Sequence, residues 1–271
     1  MNIRNIPMNL SKAAILRAIK TAGFDVRTLF SAPEANPKVK KNGKLGMLTF
    51  PLHLSPANTG DASRSVCSYA TPACMWLCLH TAGNPAYMKG KEKARYERTR
   101  LYWLRRDLFV ALMIAEMRLA ITRAEKRHMV PAFRPNATSD IPWERASLFD
   151  TDGNALGTLA DVFPNVELYD YTKIPGRVTS DNYHLTFSLA ENNDVAADAA
   201  IASGRNVAVV FWLKPSQKMP ATWRGRPVVD GDEHDYRPAD GIGADGLGIY
   251  VGLRPKGRAK KDTYGMVRHP V

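Results

Sequence analysis

Short apolar runs recur along most of the chain, separated by polar or helix-forming stretches. The runs cover residues 45–54, 129–133, 166–171, 184–189, 206–213, 226–231 and 247–253. Apolar runs of this length, bounded by Gly, Pro, Asn or Asp, are typical of buried β-strands. Because stretches that can cross over a sheet lie between them, the pattern predicts parallel strands that are buried on both faces.

Two segments have helical periodicity instead. Over residues 91–128, leucines and alanines recur every three or four positions, which predicts one long helix with a buried face and a strongly basic opposite face. Near the N-terminus, Ile15 and Ile19 form part of a short apolar stripe that ends at Gly23. This second pattern predicts a short capped helix.

These elements predict two parts of the chain. Residues 1–44 form an N-terminal helix and a basic linker, and residues 45–271 form a single α/β domain. About six to seven parallel strands with crossovers between them favour a parallel (β/α) barrel or an incomplete barrel. In such a fold, functional side chains gather just beyond the carboxyl ends of the strands.

Composition and charge narrow the class of protein. The 45% hydrophobic and 24% charged residues are ordinary for a soluble folded chain. We expect a cytoplasmic protein without a membrane span, because no apolar run approaches about 20 residues and no signal peptide is recognisable. The net charge of +12 favours a polyanionic partner such as a nucleic acid or nucleotide, although a basic enzyme with a solvated surface has the same charge.

All three cysteines lie in one short window, at Cys67, Cys74 and Cys78. An odd number of thiols cannot pair completely in disulfides, and clustered cysteines in a reducing cytoplasm more often bind metal. A zinc site usually takes four ligands, and the nearest candidate for the fourth is His80. An iron–sulfur cluster accepts more varied spacing, and three thiolates on a four-iron cluster leave one iron open. A nucleophilic cysteine is a further alternative.

Polar side chains follow most of the predicted strands. They include Asn136, Ser139, Asp140, Asp170, Lys173, Ser188, Glu191, Asp232 and Lys256. Any one of them is more often a helix cap or a turn residue than a functional group. Because all of them fall on one predicted edge, beside the cysteine window, they predict a functional site there.

Several motifs also occur in a fixed order. They are SPANTG, C-x6-C-x3-C, LHTAG, RPNATSD, YDYTK, SLAEN, DGD and GLRPKG. Over residues 45–260 this ordered set resembles the phage "gene product 88" family. That family is in turn similar to radical S-adenosylmethionine (SAM) enzymes, which carry a cysteine triad in the loop after the first barrel strand.

The resemblance implies a radical-SAM-like enzyme with a [4Fe–4S] cluster, bound by the three cysteines and chelated by SAM at its open iron. Reductive cleavage of SAM then requires an electron donor and yields a radical that activates the substrate. The resemblance implies a location in the host cytoplasm for a phage-encoded protein. The gaps of six and three residues differ from the usual C-x3-C-x2-C spacing, and no Gly-Gly-Glu follows the second predicted strand.

Roles for the polar residues follow from this resemblance. The candidates to hold SAM are Asn136, Ser139, Asp140, Ser188 and Glu191. The candidates to face the substrate are Asp170, Lys173, Asp232 and Lys256. The basic helix and linker make a nucleic acid or nucleotide the first substrate class to test.

Two other functions compete with this hypothesis. One is a nucleic-acid-binding protein with a structural zinc site formed by Cys67, Cys74, Cys78 and His80. The other is a hydrolase that holds divalent metals in an acidic loop. That loop comprises Asp230, Asp232, Glu233, His234 and Asp235.

Overall fold

The computed structural model describes residues 1–78 and 89–270 of the chain. Its helices are α1 (Lys12–Thr21), α2 (Pro37–Lys40), α3 (Pro72–Trp76), α4 (Lys89–Leu104), α5 (Arg106–Glu125), α6 (Leu159–Val162) and α7 (Asp194–Ala202). Its strands are β1 (Asn2–Ile6), β2 (Met47–Pro51), β3 (Val130–Arg134), β4 (Ser147–Asp150), β5 (Ala155–Gly157), β6 (Glu167–Thr172), β7 (Tyr183–Ser188), β8 (Val207–Phe211), β9 (Thr222–Trp223), β10 (Arg226–Asp230), β11 (Tyr250–Leu253) and β12 (Val267–Arg268). Two short 3-10 helices, Lys41–Leu45 and Gly257–Lys261, also help to shape the site.

The strands form two sheets. The larger one has nine strands in the order β2-β3-β6-β7-β8-β11-β10-β9, with β12 also paired to β8. All of its pairs are parallel except the antiparallel pair of β9 and β10. The smaller sheet joins β1, β4 and β5, with β1 parallel and β5 antiparallel to β4. The chain therefore combines a largely parallel sheet with a small mixed one.

The predicted barrel, whether closed or incomplete, is wrong. Within residues 1–78 and 89–270, β2 and β9 end the large sheet on opposite sides, and β11 lies between β8 and β10. A (β/α) barrel needs a helix after each strand to cover the outside of the sheet. The described segments from β6 to β7 and from β8 to β9 contain no helix, and the short antiparallel β9 ends the parallel series. The sheet is therefore open.

The N-terminal residues pack against the rest of the chain. The helix predicted there is confirmed as α1, whose N-cap Ser11 accepts a hydrogen bond from Ala14 N at 3.2 Å. Ile15 and Ile19 of α1 are buried in the main core, and β1 pairs with β4. The domain boundary after residue 44 stays a prediction.

The long basic helix predicted over residues 91–128 is two helices. Arg105 separates α4 from α5 with a non-helical backbone conformation (φ −142°, ψ 66°). Its side chain binds Asp107, with Nη2 at 2.6 Å from Oδ2. Helix α5 is buried along most of its length and packs on one face of the large sheet, against residues such as Phe50 and Phe133. No helix in the described ranges is long and apolar enough to cross a membrane.

The opposite face of the large sheet is polar, and we call it the polar face. Side chains alternate along each strand, and residues paired in a parallel sheet point to the same side. The pairings Pro51 with Arg134, Tyr169 with His184 and Tyr171 with Thr186 place these side chains together. The polar face comprises Thr49, Arg134, Tyr169, Tyr171, His184 and Thr186.

Part of the predicted basic linker covers the polar face. Asn42, in the 3-10 helix after α2, donates to Thr49 Oγ1 at 2.9 Å and to Tyr169 Oη at 3.1 Å. Its Oδ1 accepts from the backbone N–H groups of Asp235 and Tyr236 at 2.7 and 3.0 Å. The fully buried Asn42 thus ties the linker, the sheet and the acidic loop together.

Candidate functional site

Cys67 is fixed by backbone contacts at the carboxyl end of β2. It forms a parallel bridge with Asp140, and Asp140 N donates to Val66 O at 2.8 Å. The thiol Sγ accepts a hydrogen bond from Ala57 N at 3.4 Å. The loop after β2 is therefore attached to the loop after β3 at the first cysteine.

Helix α3 carries Cys74, and Glu191 holds its first turn. The N-cap Thr71 accepts a hydrogen bond from Cys74 N at 3.1 Å. Glu191, in the loop after β7, accepts from Thr71 Oγ1 at 2.7 Å and from Ala73 N at 3.0 Å. These contacts satisfy N–H groups that a helix start leaves free.

Apolar contacts fix the other side of α3. Ala73 and Leu77 are buried against Ala259 and Val267, with Val210 of β8 alongside. By the alternation along β8, Val210 points to the same side of the sheet as the polar face. The cysteine helix and the polar face therefore lie on one side of the sheet.

The three thiols interact electrostatically. All three cysteines are free of disulfides. Burial, followed by the nearby Cys74, Asp140 and Cys78, raises the pKa of Cys67 to about 12. Without a positive charge beside it, Cys67 therefore stays protonated at neutral pH and is a poor nucleophile.

Within residues 1–78 and 89–270, no ligand set for a single metal ion is formed. Among the described residues, no group of three His, Cys, Asp or Glu side chains is placed to hold a single ion. Zn–S bonds of about 2.3 Å bring the sulfurs of a zinc site within about 4 Å of each other. The cysteines of an iron–sulfur cluster bind different irons, so their sulfurs lie farther apart. His80, the fourth ligand of the zinc hypothesis, lies outside the described residues.

The residues predicted to hold SAM mostly bind other protein groups. Asn136 donates from Nδ2 to Asp170 Oδ2 at 2.8 Å and accepts at Oδ1 from Ser139 Oγ at 2.8 Å. Asp140 accepts from Lys173 N at 2.7 Å and from Arg177 Nη1 at 2.9 Å. Glu191 braces α3, as described above. Their role toward SAM stays a prediction.

The residues predicted to face substrate divide into two groups. Asp170 lies on the buried side opposite the polar face, and Tyr183 Oη donates to it at 2.6 Å. Lys173 donates from Nζ to Ser188 Oγ at 2.8 Å, which joins the loops after β6 and β7. Asp232 and Lys256 form a separate ion pair at 2.8 Å near Arg254. Asp170 therefore lies inside the sheet, bound to Asn136 of the loop after β3, while Lys173 lies in the loop after β6. Asp232 and Lys256 belong to another cluster.

The acidic loop of the hydrolase hypothesis spreads its side chains among different partners. Asp230 and Asp232 bind Arg254, at 2.9 and 3.4 Å. His234 Nδ1 lies 3.1 Å from Arg237 Nη2, and Asp235 points into the polar face. These carboxylates therefore have basic partners.

A buried ion-pair network on the polar face is not among the sites predicted from sequence. Arg134 Nη1 binds Asp235 Oδ2 at 3.0 Å, and Lys38 Nζ lies 3.3 Å from Asp235 Oδ1. Despite burial, Arg134, Lys38 and Arg237 lower the pKa of Asp235 to about 2. The sequence signal is the alternation of Tyr169 and Tyr171 along β6, beside Arg134 at the end of β3.

Several donors of this network lack partners. Within the part of the chain that the structure describes, Tyr171 Oη, Arg134 Nε and His53 Nδ1 are buried without a hydrogen-bond partner. Burial and the nearby Arg95, Arg134 and Arg98 lower the pKa of His53 to about 3, so the imidazole is neutral. Arg95 is also an electrostatic neighbour of Cys78. His53 therefore shares an electrostatic neighbour, Arg95, with Cys78 and has Arg134 of the polar face as another neighbour.

The charge of the polar face favours an anionic ligand. Lys38, Arg134 and Arg237 supply three cations, while Asp235 supplies one strongly acidic carboxylate. Burial raises the pKa of Asp240, the second carboxylate here, to about 6. Buried cations in excess over carboxylates, beside free donors, are a typical setting for binding an acidic group.

Comparison with known proteins identifies the family. The family model described as gene product 88 matches residues 28–269 of the chain. No curated protein and no solved structure matches the sequence. The family match spans both the polar face and the cysteine window. The chain belongs to the gene product 88 family.

Proposed function

We propose that this protein is an iron–sulfur enzyme of the radical-SAM type. Cys67, Cys74 and Cys78 hold a [4Fe–4S] cluster, and the polar face receives an anionic substrate. The observation that carries the proposal is the proximity of three thiols that form no disulfide, with Cys74 and Cys78 both acting as electrostatic neighbours of Cys67. When bound, such a cluster with SAM supplies one-electron chemistry that generates a substrate radical.

The donor set fits a cluster better than it fits free thiols. Burial disfavours the Cys67 thiolate, nearby Cys74, Asp140 and Cys78 disfavour it further, and together they raise the pKa of Cys67 to about 12. Bound iron would supply a positive charge beside Cys67, Cys74 and Cys78, and thiols that coordinate a metal are deprotonated. The Ala57 N–H group already donates to the Cys67 sulfur, and hydrogen bonds of this kind stabilise a thiolate.

The protein's own residues hold the cysteine window in place and favour a negatively charged substrate. Glu191 holds the first turn of α3, so Cys74 keeps a fixed orientation. Arg134 and Tyr171 offer unused donors on the same side of the sheet. The neutral His53, an electrostatic neighbour of Arg134 and Arg95, adds a third polar group. These groups support an acidic substrate, such as a nucleotide phosphate or a carboxylate.

Iron and acid-labile sulfide analysis after anaerobic purification tests the proposal. We expect about four iron and four sulfide per chain, as a [4Fe–4S] cluster requires. Cys74→Ser removes one ligand, so iron content falls by more than half. Ser68→Ala changes an exposed residue of the same window and keeps all thiols, so its iron content equals that of the unsubstituted chain. A colourless chain with stoichiometric zinc would overturn the proposal.

Cofactor use is a second readout on the same sample. With dithionite as reductant, the loaded chain is expected to cleave SAM to 5′-deoxyadenosine, and Cys74→Ser abolishes the product. Iron and sulfide in full amount without SAM cleavage would keep the cluster and reject the radical-SAM assignment.

A further inference from the structure

A rigid aromatic and basic surface lies beside the cysteine window. Trp76 is the last residue of α3, and its side chain is 52% exposed. By contrast, Trp143 and Trp223 are buried, and Trp103 and Trp212 are half-buried. Trp76 lies next to the exposed Met75, and apolar groups that are exposed together and rimmed by polar residues mark interaction sites.

The fold holds this ring outward. Ala73 and Leu77 bury the inner side of α3 against Ala259 and Val267, so Met75 and Trp76 face solvent. Glu191 fixes the first turn of the same helix. A ring on such a support loses little conformational entropy when it binds a partner.

A basic 3-10 helix lies beside the ring. The Arg258 guanidinium lies 4.7 Å from the centroid of the Trp76 ring. Arg258 belongs to the 3-10 helix Gly257–Lys261, which buries only Ala259 and exposes Arg258, Lys260 and Lys261. In the described ranges, these three cations form no ion pair with a carboxylate, whereas the neighbouring Lys256 is paired with Asp232 at 2.8 Å. Positive charge therefore remains available at this surface.

We propose that Trp76, Arg258, Lys260 and Lys261 form a docking surface for single-stranded nucleic acid. Aromatic rings stack on unpaired bases, and clustered cations follow the phosphate backbone. A duplex keeps its bases stacked on each other and offers the ring no free base face.

The docking surface adjoins the cysteine window. Trp76 and Cys74 belong to the same short helix, so a bound strand passes directly beside the cysteine window. Docking does not require a cluster and extends the proposed function by naming its substrate class. The same experiment can therefore be done with Cys74→Ser, in which the cluster ligand is absent and docking is retained.

Fluorescence anisotropy with a labelled oligonucleotide of about 12 nucleotides tests this surface, using the full chain. Trp76→Ala is expected to weaken binding about 10-fold, and Trp76→Phe, which keeps a stacking ring, loses less. The triple change Arg258→Ser, Lys260→Ser and Lys261→Ser is expected to reduce the magnitude of the slope of log K against log[salt] by about 2, because three phosphate contacts are lost. Circular dichroism verifies that each variant is folded.

The matched control removes three exposed lysines elsewhere: Lys20→Ser, Lys44→Ser and Lys126→Ser. We expect this control to bind more tightly than the triple variant, despite the equal charge change. Equal binding by both triple variants, or unchanged binding by Trp76→Ala, would overturn the proposal. Tighter binding to duplex than to single strands would also overturn it. The same holds if the chain binds anionic phosphatidylserine vesicles through Trp76 and does not bind the oligonucleotide.

Discussion

Glu191 links the loop after β7 to the helix that carries Cys74, and its removal has a calculable cost. In Glu191→Ala, Ala73 N and Thr71 Oγ1 lose the carboxylate that accepts from them at 3.0 and 2.7 Å. Hydrogen bonds to charged groups contribute about 1.5–3 kcal/mol each. Because Glu191 is half-buried, we take the lower end of that range and expect a loss of about 3 kcal/mol for the two bonds together.

Urea unfolding of the purified chain measures this loss, and iron content measures its effect on the window. Glu191→Gln keeps an acceptor for Ala73 N, so it is expected to lose about 1 kcal/mol and to retain most of the iron. Asp198→Ala, an exposed carboxylate on α7, is the control and changes stability by less than about 0.5 kcal/mol. If Glu191→Ala leaves both stability and iron content unchanged while weakening SAM binding, the bracing role is refuted and the predicted SAM role is favoured.

Four further predictions concern Asp235, Asp170 and Cys67. Asp235→Asn leaves Arg134 without its carboxylate and is expected to cost about 3–5 kcal/mol in urea unfolding; a loss below 1 kcal/mol contradicts the network. In the unsubstituted chain, the pKa of Asp235, lowered to about 2, stabilises the fold by about 2 kcal/mol above pH 4, and this contribution is lost as pH falls toward 2. Burial raises the pKa of Asp170 to about 7, so the stability that Asp170 contributes to the fold is fully present below pH 4 and declines as pH rises to 7. Asp170→Asn is expected to flatten this decline of the unfolding free energy with pH, and an unaltered decline refutes the raised pKa. In the metal-free folded chain at pH 8, Cys67 is expected to resist iodoacetamide by peptide mapping and to react once urea unfolds the chain, whereas rapid labelling in the fold contradicts its raised pKa.

The strands were largely predictable, and the way they assemble was not. Apolar runs located β2, β3, β6, β7, β8, β10 and β11, because buried strands need such runs. The barrel failed because periodicity does not reveal whether a crossover contains a helix or whether an edge strand runs antiparallel. The pairing of β1 with β4 was equally hidden, since a contact between distant segments leaves no local pattern.

The candidate site was also predictable only in part. The clustering of the cysteines and their position after a strand were visible in the sequence. The bracing role of Glu191 was not, because its partners, Thr71 and Ala73, lie far away along the chain. The same holds for Asn42, which joins the linker to the acidic loop. Residues that read as ligands from their place after a strand are here largely held by other residues, since buried polar groups need partners.

Electron paramagnetic resonance of the anaerobically purified, dithionite-reduced chain tests the central claim most directly. We predict an iron–sulfur signal that changes shape when SAM is added, because three cysteine ligands leave one iron open. Cys74→Ser is expected to lose that signal, and Ser68→Ala to keep it. A silent spectrum from a folded chain that contains stoichiometric zinc would contradict the account.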